Sequence, residues 1–376
     1  MPDIPKQYFL YYFPYLTMRD VEEIDFGFIK IWNFDKKKDA YISDPALKAK
    51  ITQILANYQS QFYPVRGIGI ASIGTNDFRK FTPEEAADLH TAKYILFISA
   101  LAYNNLHTAN VNIGHAMFSS ENFESMIFSM VLDSEYMSEP GGFVINMLHG
   151  GIEISKNLQK TPSYILNPSR LNLDVDLFNT LIKLRKRRPK FFKRLISAIE
   201  VFYESYYNSP QVSEKARILL LTSAFEMLLQ SEPGAGREKT KNFIALHANV
   251  PEDRKYSYYS ERRGGVVRES GTRKEIWADR FFSLRNHIAH GDIVPKTEFL
   301  YKSQRHFDIA PLFFVFTLKK KIDLYLRRDI FGDEIEWKKW TDENTIPITE
   351  YEGFAYNATK GKLRKLFNKL RKRKRP

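Results

Sequence analysis

The stretch from Trp277 to Asp292, Trp-Ala-Asp-Arg-Phe-Phe-Ser-Leu-Arg-Asn-His-Ile-Ala-His-Gly-Asp, constrains this chain more than any other. Trp277, Phe281, Leu284 and Ile288 recur at offsets of four, three and four, which on a helix makes one apolar stripe. With about 100° of turn per residue, Asp279, Phe282, Asn286 and His290 fall together on the opposite side. Gly291 follows where a left-handed residue ends a helix, and Pro295 prevents its resumption. The expectation is a helix that buries one face and carries a polar, histidine-bearing face up to its C-terminus. Arg285 sits between the faces, about 80° from the start of the stripe, with reach enough to join either.

At 376 residues the chain suggests two or three domains, each large enough for its own core. An aromatic fraction of 14% argues for packed rather than disordered structure. The absence of cysteine removes disulfides, thiolate nucleophiles, iron–sulfur clusters and cysteine-ligated zinc together, and fits a cytoplasmic protein. The N-terminus lacks a signal-peptide pattern, and no run of about 20 apolar residues exists, so no membrane crossing is expected. Charge is unevenly placed: residues 1–170 sum to −3 and residues 171–376 to +16. That asymmetry favours a polyanionic partner for the second half over a basic surface that is merely solvated.

Residues 1–170 suggest a mixed α/β domain with a sensing or positioning role. Gln7 to Leu16, Phe26 to Phe34 and Gly67 to Gly74 suggest strands. Asp44-Pro45 opens a helix to about Tyr58, and Thr82-Pro83-Glu84-Glu85 opens another to about Asn104. Glu121 to Leu132 and Phe143 to Ile154 supply further strands. His107, His115 and His149 are scattered without ligand spacing, which makes each a surface or core histidine before a metal ligand. No cofactor is expected.

Residues 171–330 suggest an all-α antiparallel bundle, with 331–376 as an extension. Helices are expected over Asp174 to Arg187, Phe191 to Tyr207, Gln211 to Gln230 (capped by Ser209-Pro210), Arg237 to His247 and about Asp308 to Arg328. The third is apolar nearly all round, so Glu226 within it needs a partner, and Arg285 is the best match. Gly234 to Thr240 has the outline of a phosphate-binding loop but carries Glu238 where the glycine before the lysine should stand, and no strand precedes it. Pro251 to Lys274 reads as a long polar connection. Its basic groups interleave with tyrosines, a pattern suited to RNA or to a plain surface loop, and Tyr258, Tyr259, Arg262 and Arg263 are the contacts expected there. Further RNA contacts are expected at Arg185, Lys186, Arg187 and Arg188, and in the tail at Arg371, Lys372 and Arg373. The tail's Leu363, Leu366, Phe367 and Leu370 equally suit attachment to a membrane surface.

The run Arg285-Asn286-His287-Ile288-Ala289-His290-Gly291 resembles the signature of HEPN domains, helical modules found in many prokaryotic RNases. With Phe281-Phe282-Ser283-Leu284 before it and the Ala224-Phe-Glu-Met-Leu-Leu229 segment upstream, it is most similar to the Apea-like branch. The resemblance covers about residues 175–330. It implies an endoribonuclease whose site is doubled across a homodimer of the helical domain, and an effector in antiviral defence or a toxin-like system.

The residue types agree with that chemistry. RNA supplies its own nucleophile, the 2′-OH, so the protein needs only a group that moves a proton and a stabiliser of phosphate charge. His290 suits the first task and Arg285 the second, with Asn286 orienting the pair and Glu226 bracing Arg285. His287 points to another side of the helix, where packing is its expected role. Two other readings stand beside this one. Arg285 and His290 can serve stability alone, by pairing with Glu226 and by capping helix carbonyls. The second half can also be a non-catalytic module that binds nucleic acid or a protein partner.

Overall fold

The computed structural model describes residues 7–331 except 57, 59–63, 74–77, 108–118, 132–143, 149–150, 156–168, 207–211, 233, 250–252, 263–264 and 302–303. The basic tail, Arg263, His115, His149 and the Ser209-Pro210 cap therefore lie outside the described residues. The chain divides into two compact units, Met1–Leu220 and Leu221–Pro376. Its class is mixed α+β.

The first unit runs β1 (Gln7–Thr17), β2 (Glu23–Asp25), β3 (Lys30–Asn33), α1 (Phe34–Tyr41), α2 (Pro45–Leu55), β4 (Ile68–Ser72), α3 (Pro83–His107) and β5 (Met126–Val131). Then come β6 (Val144–Leu148), β7 (Gly151–Ser155), β8 (Ser169–Arg170), α4 (Val175–Arg187), α5 (Pro189–Ser205) and α6 (Glu214–Leu229), the last of which contains the unit boundary. The main sheet has the antiparallel order β2-β3-β4-β1-β5, with β8 parallel to β1. Its core joins Tyr12, Trp32 and Ile70 from the sheet to Leu47, Ile51 and Ile54 of α2.

The expected helix starts hold. Asp44 accepts from the amides of Ala46 and Leu47, and Thr82 exchanges bonds with Glu85 as a capping box. Helices α4 and α5, expected in the helical half, pack against α3 and belong to the first unit. Their apolar faces (Leu177, Leu181, Leu195, Phe202) are buried there.

The second unit is not all-helical. The segment expected to be a polar connection holds a hairpin, β9 (Lys255–Arg262) and β10 (Gly265–Thr272), paired along its whole length. Around it lie α7 (Gly236–His247), α8 (Arg273–His290), the short pair β11 (Leu300–Tyr301) and β12 (Gln304–Arg305), and α9 (His306–Leu326). An aromatic core links them: Trp277 stacks on Phe281 and on Phe313, and Phe225 meets Phe281 and Phe314 edge-on. Among the described residues no helix is long and apolar enough to cross a membrane.

Candidate functional site

Helix α8 begins four residues before Trp277, at a capping box in which Thr272 and Glu275 satisfy each other's backbone amides. It ends as expected. Gly291 adopts φ 79°, its amide bonds to the Ile288 carbonyl at 3.1 Å, and the Asp292 amide reaches the His287 carbonyl at 2.9 Å.

The expected polar face is corrected by the hairpin, which covers it. Trp277, Phe281 and Leu284 are buried, but so are Asp279 and Phe282 on the opposite side. Asp279 is wholly buried: its Oδ1 accepts from Arg237 Nε at 2.8 Å and from Ser260 Oγ at 3.2 Å, with Arg262 at 3.7 Å. Arg237 also donates to Ser260 Oγ at 2.9 Å and to the Glu261 carbonyl at 2.5 Å, so one guanidinium ties α7, the hairpin and α8 together.

Only the last turn and a half of α8 emerges. Here the anticipated pair is present: Arg285 Nη2 lies 3.6 Å from Glu226 Oε2, with side chains 31% and 22% exposed. Glu226 is therefore half-buried rather than enclosed. Its position depends on Gly236, the first residue of α7, since a Cβ there would stand 2.3 Å from Glu226 Oε1. The glycine of the loop-like run thus makes room for a carboxylate rather than a phosphate. Arg285 Nη1 donates to Asn286 Oδ1 at 3.1 Å, so Asn286 is tied to Arg285 and not to His290. His290 is exposed, and no described residue hydrogen-bonds its ring. Five residues apart on a helix, Arg285 and His290 point about 140° away from each other.

His287, expected to pack, does something else. Its Nδ1 lies 3.0 Å from Glu298 Oε2 and its Nε2 lies 2.7 Å from Glu261 Oε2. Those carboxylates, Glu298 foremost, raise its pKa above the ordinary histidine value. Neither partner is close in sequence, so no local pattern marks the arrangement.

The expected RNA contacts divide. On the hairpin, Tyr258 and Arg262 face inward. Tyr258 is buried and donates to Glu269 Oε2 at 3.0 Å, and burial pushes its pKa up to about 12. Arg262 is paired with Glu269 and Glu238. Burial works against the Glu269 carboxylate, yet Lys241, Arg262 and Tyr258 together pull its pKa down to about 2. Both side chains are therefore structural. Tyr259 faces outward, 62% exposed, opposite the exposed Arg268. In the first unit, Arg185 is occupied by Asp88 and the face of Phe28, whereas Lys186, Arg187 and Arg188 are exposed.

Among the described residues no group of three or more His, Asp or Glu side chains is placed to hold a metal ion. Compared with family models, curated proteins and solved structures, the chain matches none of them.

Proposed function

We propose that the second unit is a metal-independent endoribonuclease of HEPN type, acting at the exposed end of α8. One observation carries the proposal: a half-exposed Arg285, braced by Glu226 and Asn286, shares its last helical turns with a His290 that no described side chain engages. Among the described residues the 3.6 Å ion pair and one hydrogen bond leave further guanidinium N–H groups to grip a phosphate. A ring that no described residue holds is free to move a proton.

Because Arg285 and His290 diverge on one helix, the complete site is formed by two copies across a two-fold axis, with their Gly291 ends converging. The wholly exposed Ile293, two residues beyond, suits such a contact. One His290, neutral, takes the proton from a ribose 2′-OH as the 2′-oxygen attacks phosphorus. The phosphorus–O5′ bond breaks, and the partner's His290, protonated, delivers a proton to the departing 5′-oxygen. Arg285 from both copies stabilises the charge on the phosphorane, and a 2′,3′-cyclic phosphate remains. RNA is held further by outward groups such as Tyr259 and Arg268, on which an unstacked base and a phosphate can rest. An effector role in antiviral defence or a toxin-like system follows from the family resemblance.

The test is RNA in the presence of EDTA, with one 2′-deoxy residue placed at a mapped scission site. Cleavage should vanish at that linkage and continue elsewhere with cyclic phosphate ends. Cutting at the deoxy linkage, or activity abolished by EDTA and restored by magnesium, would contradict the mechanism.

A further inference from the structure

Beside the last turns of α8, on the face of Arg280, Ser283, Leu284 and His287, lies a pocket of about 350 Å³. Its opposite wall comes from Thr297, Glu298, Leu300 and Tyr301, and its floor includes His306. That volume falls at the lower end of the range for small-ligand clefts, about 300–1,000 Å³.

The lining states what kind of molecule fits. His306 is 1% exposed and stacks on Phe281 at 5.6 Å, and its Nδ1 has no hydrogen-bond partner. Burial pushes the His306 pKa down to about 3, so the ring is neutral at physiological pH. Tyr301 adds an aromatic ring and Leu300 an aliphatic side chain. Around them stand Glu261 and Glu298, each giving one oxygen to His287 and keeping the other unbonded by any described residue. Arg280 is exposed at the pocket without an ion pair to any described residue. Both ring nitrogens of His287 face carboxylate oxygens, which calls for a hydrogen on each, so two carboxylates, this imidazolium and the guanidinium of Arg280 sum to no net charge. A phosphate would face two carboxylates, and a cation would face Arg280 and His287. The pocket fits a neutral, planar group that has both donors and acceptors on its edge, which describes a nucleobase.

We propose that this pocket receives one base of the RNA beside the cleaved linkage and sets the base preference of the enzyme. This rests on the ribonuclease reading above. The placement suits it, because His287 in the pocket wall precedes His290 by three residues, about 60° around the same helix. The unpaired oxygens of Glu261 and Glu298 would accept from an exocyclic amino group, as carboxylates do from cytosine, while Ser283, Thr297 and Arg280 would donate.

The experiment uses the full chain and the four nucleoside 5′-monophosphates, whose common phosphate leaves the base as the only variable. Binding is measured for the wild type, for His290→Ala, and for Thr297→Trp, which puts an indole across the pocket from an exposed position. One nucleotide should bind about tenfold more tightly than the weakest. His290→Ala should retain that order, and Thr297→Trp should weaken the favoured nucleotide about tenfold. Mapped scission sites of the wild type should favour the same base by a similar factor, and Thr297→Trp should flatten the preference. Equal binding of all four nucleotides, or a Thr297→Trp variant with unaltered binding, overturns the proposal. Base-selective binding that Thr297→Trp abolishes, in a protein that leaves RNA intact, upholds the pocket and overturns the nuclease reading instead.

Discussion

Between Lys274 and Leu284, helix α8 is covered on every side except at Arg280; from Arg285 onward it is not. The two parts hold similar residues. In the covered part Lys274 donates to the Ala248 carbonyl at 3.0 Å and to Asp253 at 2.7 Å, and Asp279 is bound by Arg237 and Ser260. In the open part Arg285 keeps a loose ion pair and His290 is bound by no described residue. The difference shows how charge divides between fold and chemistry within one helix. Where partners saturate a charged group it holds the structure, and where they leave hydrogen-bonding capacity unused the group is available to a ligand.

The sharpest way to break this contrast is in the covered part. Asp279→Ala leaves Arg237 without its buried counterion, and should cost about 3–5 kcal/mol of stability in urea unfolding. A loss below about 1 kcal/mol would mean that the buried charges are not what ties the hairpin to the helix.

The open part of α8 is reached through Gly236, which stands against Glu226, the partner of Arg285. A methyl group there collides with Glu226, so Gly236→Ala should cost about 1–3 kcal/mol, as overpacking does. It should also slow RNA cleavage, because Arg285 loses its brace. Thermal unfolding and cleavage rates, measured together, check both halves of that statement. Full activity in a destabilised variant would show that the Arg285–Glu226 pair is only structural.

A smaller, pH-dependent contrast sets two histidines against each other. The folded pKa of His306 lies below its unfolded value, so stability falls as pH drops from about 6.5 toward 3, by about 1.4 kcal/mol per unit. His306→Phe should remove that slope from an acid unfolding series. For His287 the sign is opposite, since its folded pKa is raised. Its contribution is full below about pH 6.5 and is lost as pH rises through the folded value. With Glu261 and Glu298 both partly exposed, His287→Gln should cost less than about 1 kcal/mol, and only on the acid side. A cost that persists unchanged at pH 9 would contradict the ion-pair account.

Much of the helical structure was legible from local chemistry. The Gly291 stop, the Thr82 and Asp44 caps and the Glu226–Arg285 partnership follow from residues whose needs are stated by their neighbours: a left-handed glycine, an N-terminal hydroxyl or carboxylate, a carboxylate inside an apolar run. The hairpin was not: β9 alternates outward and inward, but its inward positions include the polar Ser260 and Arg262 and its outward ones include Tyr259, so no hydrophobic alternation is written in the sequence, and β10 is largely exposed. One signal was present, Gly264-Gly265 between two tyrosine- and valine-bearing runs, as was Thr272-x-x-Glu275 at the true start of α8. Missing the hairpin turned Asp279 into an apparent surface residue and hid the partners of Arg237 and His287. The grouping of α4 and α5 with α3 has the same origin: amphipathic helices announce a buried face but not the element that buries it.

The central claim is that His290 at the end of α8 serves RNA and not the fold, and His290→Ala tests it most directly. RNA cleavage and thermal unfolding are measured on the same preparation. Cleavage should fall about 10²–10⁴-fold while stability stays within about 0.5 kcal/mol of the wild type. An unchanged cleavage rate, or a loss of stability approaching that of Asp279→Ala, would contradict it.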